Sequence, residues 1–135
     1  MKRLVAIVVL STLATAVCVE GHIPIEKEYA RSKYVATVRV ISSTSEPDAA
    51  DGYYVSGVNY RLQRLETLKG LPPETFSVFN ENTSGRFDMD RGVSYLVFVY
   101  REHGRLRIDN CGNSGQLESS SEVLATVRRL SKIQK

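Results

Sequence analysis

The sequence predicts a mainly β domain, a small closed or partly closed barrel of five strands with a short helix before it and a longer helix at its end. Three observations carry this. β-Branched and aromatic runs with period-two alternation recur between Gly/Pro/Ser punctuation. One run, Ser94 to Tyr100, is apolar on both faces. A tight Gly-containing turn joins that run to the next. The whole follows an export signal.

The chain has 135 residues, enough for one domain with a core of its own. Its first segment reads MKRLVAIVVLSTLATAVCVEGH. Lys2 and Arg3 form a positive n-region, Leu4 to Leu13 an apolar h-region, and Ala14-Thr15-Ala16 the small-x-small pattern that signal peptidases accept. Cleavage between Ala16 and Val17 makes residues 1–16 the signal peptide and 17–135 the mature domain. Two readings compete. A retained anchor needs roughly 20 apolar residues, whereas Leu4 to Val19 supplies about 16. A lipid anchor on Cys18 needs a small residue before it, where branched Val17 stands. Export to the periplasm or the medium is the expectation, with no membrane span after processing.

The formal charge is +3, and removing Lys2 and Arg3 leaves a near-neutral domain. So balanced a chain excludes nucleic acid and anionic membrane as the expected partner. Cys18 and Cys111 are the only cysteines, and an even count in an exported chain predicts one disulfide. Two free thiols are the alternative.

The elements follow in order. Pro24 starts a short helix over Ile25 to Ser32, with Ile25, Tyr29 and Ala30 as its apolar face. Tyr34 to Ile41 is a strand with Tyr34, Ala36, Val38 and Val40 on one side. Ser42 to Gly52, rich in Ser, Thr, Pro, Asp and Gly, reads as a loop. Tyr53 to Leu68 is a long extended segment in which Val58, Tyr60 and Leu62 alternate with polar residues and Gly57 marks a bulge. Lys69 to Pro73 stops it. Thr75 to Phe79 is a third strand, Asn80 to Gly92 a polar stretch, and Ser94 to Tyr100 the doubly buried strand. Glu102-His103-Gly104 turns the chain into Leu106 to Asp109. Ser119 and Glu122 have capping-box spacing, and Val123, Leu124, Val127, Leu130 and Ile133 form the stripe of a terminal helix.

Three stretches carry a family resemblance. Tyr60 to Gly70 ends in Leu68-Lys69-Gly70, Arg91 to Phe98 holds Gly92-Val93-Ser94-Tyr95-Leu96-Val97-Phe98, and Arg105 to Gly115 encloses Cys111. Together they resemble netrin-like domains, in particular the bacterial relatives of the tissue inhibitors of metalloproteinases, over roughly Ile25 to Lys132. The resemblance implies an OB-type five-stranded barrel. The inhibitors begin Cys-x-Cys, and the amine and carbonyl of the first cysteine chelate the target's zinc. Cys18 resembles the second cysteine, which in that family pairs with the position of Cys111. The first would fall at Ala16, and its usual partner at Ser84-Gly85, so one bridge is missing at both ends and the chelating N-terminus with it.

Candidate chemistry is sparse. His22 and His103 are the only histidines, and neither has companions for a tetrahedral metal site or a nucleophile pair. Asp88 and Asp90 flank Met89 in a polar loop, where a solvated pair is the ordinary meaning. Arg61, Arg64, Arg101, Arg105 and Arg107 with Tyr53, Tyr54 and Tyr60 offer the ingredients of a single-strand-binding face, which export makes an improbable use. Asn82-Thr83-Ser84 fits a glycosylation sequon in a eukaryotic host only. No catalytic, metal or cofactor residue is assigned. The leading expectation is an exported, non-enzymatic domain that binds another protein or an envelope component. The alternatives are an inhibitor of an extracellular protease and a small hydrolase.

Overall fold

The structure, a computed structural model, describes Cys18 and residues 21–50, 52–83 and 85–134. Ala16, Val17 and the signal segment lie outside the described residues, as does Ser84. Helix α1, Ile25–Arg31, follows Pro24, whose φ of −57° suits a helix start. Strands β1 (Tyr34–Pro47), β2 (Val55–Lys69), β3 (Thr75–Glu81), β4 (Ser94–Glu102), β5 (Arg105–Ile108) and the two-residue β6 (Gly115–Gln116) form one antiparallel sheet. The strand order is β3-β2-β1-β4-β5, with β6 on β4. A 3₁₀ turn, Leu117–Ser119, leads into α2, Ser121–Ile133.

The alternation in the sequence maps onto two cores. Ala36, Val38 and Val40 of β1 meet Tyr60 and Leu62 of β2, Phe76 and Val78 of β3, and Tyr95, Val97 and Val99 of β4. On the other side, Val35, Leu96 and Phe98 pack with Leu68, Tyr29 of α1 and Val127 of α2. Strand β4 is thus apolar from Tyr95 to Val99, where it has a core on each face. The β4–β5 turn holds His103 at φ 49° and Gly104 at φ 75°. Two consecutive positive φ angles match the right-handed twist of a tight hairpin.

Five expectations change. The sheet has six strands, not five, because the short stretch Gly115–Gln116 pairs with β4. Ser42 to Pro47 is strand, not loop: these polar residues pair with β2 from Arg61 to Val55. Cross-strand hydrogen bonds satisfy the backbone there even though little apolar surface is buried. In α1 the residue buried beside Tyr29 is Glu28, and Ala30 is exposed. The Ser119–Glu122 capping box does not form. The preceding 3₁₀ turn shifts the N-cap to Ser120, whose hydroxyl donates back to Gln116 O at 2.7 Å. Ile133 is 76% exposed, because the stripe outruns the sheet it covers.

No ladder joins β3 to β5 among the described residues, so hydrogen bonding leaves the sheet open. Side chains span the gap. The Arg105 guanidinium lies 4.1 Å from the centroid of Phe79 on β3, and Arg107 lies 5.3 Å from it. Arg107 also meets Glu81 at 3.2 Å, and Arg105 reaches Glu46 at the end of β1 at 2.8 Å. Gly57 makes room for this arrangement. A Cβ there would stand 2.5 Å from Asn80 O and 2.6 Å from the Phe79 ring. The predicted bulge adjoins it: the register skips Ser56 between the Glu46–Gly57 and Pro47–Val55 pairs.

Candidate functional site

A long-range polar network sits where the first described residues meet the segment after β5. Cys18 and Cys111 form a disulfide with Cα atoms 5.6 Å apart. Cys111 N donates to Asp109 Oδ1 at 2.8 Å, which shapes the turn that presents the sulfur. Two residues on, Asn113 ties three parts of the chain together. Its backbone N and its Nδ2 both donate to Glu28 Oε2 at 2.7 Å, and Nδ2 also donates to Ile23 O at 2.8 Å. Its Oδ1 lies 3.0 Å from His22 Nε2. An amide oxygen only accepts, so His22 carries a proton on Nε2.

Glu28 is 1% exposed and has no ion pair among the described residues. Burial pushes its carboxyl pKa above the ordinary glutamate value, and the two bonds from Asn113 oppose that rise. The neighbouring cation on α1, Arg31, is engaged elsewhere. It pairs with Asp109 at 2.8 Å and lies 5.8 Å from the centroid of Tyr100. Gly112 backs onto the Glu28 carboxylate so closely that no Cβ fits.

Between this network and α1 opens a cleft of about 310 Å³, bordered by both cysteines, His22, Lys27, Arg31 and Asp109, with Ile23 and Pro24 completing its wall. Lys27 and Arg31 are four residues apart on one face of α1, so both point to the same side. The N-terminal segment is therefore held at Cys18 by a covalent bond and at His22 and Ile23 by two hydrogen bonds through one asparagine.

No protein-family model matches the chain, and no curated protein matches it in sequence.

The structure brings Cys18, Cys111 and His22 together and leaves the other sequence candidates apart. His103 is exposed in its turn. Asp88 pairs with Arg86 at 2.9 Å and accepts from Asn80, while Met89 between the two aspartates is buried. Of the tyrosines expected as stacking rings, Tyr60 is in the core, bonded through its hydroxyl to Met89 N. Arg105 and Arg107 are engaged with Phe79 and with carboxylates. Among the described residues no three His, Cys, Asp or Glu side chains could hold a metal ion, no cysteine is free, and no helix is long and apolar enough to cross a membrane. Sequence reasoning missed Glu28 and Asn113. Nothing local marks them, since a Glu inside a short helix reads as solvated and its partner lies 85 positions away.

Proposed function

We propose that the chain is an exported, non-enzymatic binding domain that contacts another protein outside the cytoplasm or a component of the cell envelope. In this reading residues 1–16 are removed, and residues 17–135 form an OB-type barrel of the netrin-like kind. The strand order and the Arg105/Arg107–Phe79 bridge between β3 and β5 support a barrel closed by side chains at one seam. The Cys18–Cys111 bond fits an oxidising compartment.

The observation that carries the binding reading is the anchored N-terminal segment. A surface segment held at Cys18 by a disulfide and at His22 and Ile23 by Asn113 is fixed at those points before any partner arrives. Fixing the backbone of a free segment costs about 1–2 kcal/mol per residue, and here that cost is met on folding and not on association. The β1–β2 connection adds a second contact candidate, since Tyr53 and Tyr54 are 91% and 73% exposed and tyrosine is enriched in interface cores.

Crosslinking of mature protein in the native envelope fraction, followed by titration of the purified partner, tests this. The expected result is a saturable complex that weakens at least several-fold when Cys18 and Cys111 are both replaced by serine. Absence of any saturable partner, or hydrolase turnover lost on replacing His22 or His103, would overturn it.

A further inference from the structure

We infer that the cleft beside the Cys18–Cys111 disulfide receives an acidic peptide segment of a protein partner, with Lys27 as its docking cation. This deepens the binding reading and rests on it.

Charge is the first ground. Among the described residues, Lys27, Arg31 and Asp109 are the charged residues bordering the cleft. Asp109 is satisfied by Arg31 and by the Cys111 amide, at 2.8 Å each. Lys27 is exposed and has no carboxylate within ion-pair distance among the described residues. Among the described residues, Lys27 is therefore the one uncompensated charge at the mouth of the cleft.

Shape and chemistry narrow the ligand. At about 310 Å³ the cleft lies at the low end of cavities that take small ligands, roughly 300–1,000 Å³, which suits one or two side chains of a docked peptide. Ile23, Pro24 and the disulfide give it apolar surface next to the cation. An acidic side chain beside an apolar one complements that pair of features. A nucleic acid or an anionic lipid surface requires several cations spread over a face, and among the described residues bordering the cleft only Lys27 is uncompensated.

The cleft is also rigid at its rear. Asn113 fixes His22 and Ile23, and the disulfide fixes Cys18. A ligand thus meets a preformed wall, and the cost of ordering falls on the peptide alone.

The test uses isotope-labelled mature protein with its disulfide intact. It is titrated with acetyl-Asp-Leu-Asp-amide, with the matching Asn-Leu-Asn peptide and with Lys-Leu-Lys. The acidic peptide should shift the backbone signals of Ile23, Lys27, Arg31 and Cys111 saturably. The Asn peptide should bind more weakly by about 1.4-fold to fivefold, the range of one exposed ion pair. Lys27→Glu should abolish the preference, while Lys132→Glu on α2 should leave it intact. Equal response to all three peptides, shifts confined to other surfaces, or an unchanged preference in Lys27→Glu would overturn the inference. So would Lys27-dependent binding to phosphatidylglycerol vesicles with no peptide response. If a captured partner binds Lys27→Glu as well as the parent, this inference fails and the binding reading stands. If no partner exists, the binding reading fails, and the peptide titration still decides what the cleft accepts.

Discussion

Replacing both Cys18 and Cys111 by serine removes a crosslink between positions 93 apart in sequence. For a closed loop of about 94 residues, chain-entropy arithmetic gives a destabilisation of about 4.7 kcal/mol through the unfolded state. The native state recovers part of this. Without the bond, Cys18 is released, and the stretch up to Ile23 is held chiefly by the two contacts through Asn113. Each is a hydrogen bond contributing about 0.5–1.5 kcal/mol, less than the backbone entropy released when several residues fray. The net loss should therefore fall to about 2–4 kcal/mol. With an unfolding entropy of roughly 2.1 cal/mol/K per residue over about 115 residues, each kcal/mol moves Tm by about 4 °C. The double variant should melt about 8–16 °C below the parent under oxidising conditions, with the deeper β1–β4 amides still protected from exchange at low temperature. Calorimetry with parallel hydrogen exchange measures both. A Tm within about 2 °C of the parent would show that the crosslink does not constrain the unfolded chain as this reasoning requires.

Glu28→Gln should alter the pH dependence of stability. The folded carboxyl pKa lies above its unfolded value, so this group's stabilising contribution is complete below about pH 4.3 and is lost as pH rises through the folded value. The Tm of Glu28→Gln minus that of the parent should be more positive at pH 7 than at pH 4, and a difference constant with pH contradicts the assignment. Gly57→Ala should destabilise by about 1–3 kcal/mol, because the new methyl meets the Asn80 carbonyl, which is backbone and cannot swing away; denaturant unfolding checks it. Intact-mass measurement of exported protein should give a chain starting at Val17 with no lipid adduct, and retention of Met1 would refute the processing. That material should leave a panel of zinc endopeptidases uninhibited at micromolar concentration. Inhibition that disappears on acetylating the N-terminal amine would instead reveal a surviving chelating mode.

Local chemistry in the chain determines most of the strands. Alternation from Tyr34 to Val40 and from Val58 to Leu62 marks the inward faces, and the unbroken apolar run from Tyr95 to Val99 marks a strand with cores on both sides. The crosslink was legible for a simpler reason, since two cysteines permit only one pairing. Tertiary structure decided what composition cannot encode. Ser42 to Pro47 is polar enough to read as loop, yet the register with β2 holds it extended, because a paired backbone needs no apolar side chain to be satisfied. The helix stripe at Val123 to Ile133 is periodic to its end, but only Val127 is fully covered and Ile133 projects into solvent. The seam depends on Phe79 lying across Gly57 under two arginines from a strand far along the chain. The cleft depends on Glu28 reaching Asn113. A buried carboxylate is tolerated only where donors converge on it, and convergence of groups 85 residues apart is a property of the folded chain alone.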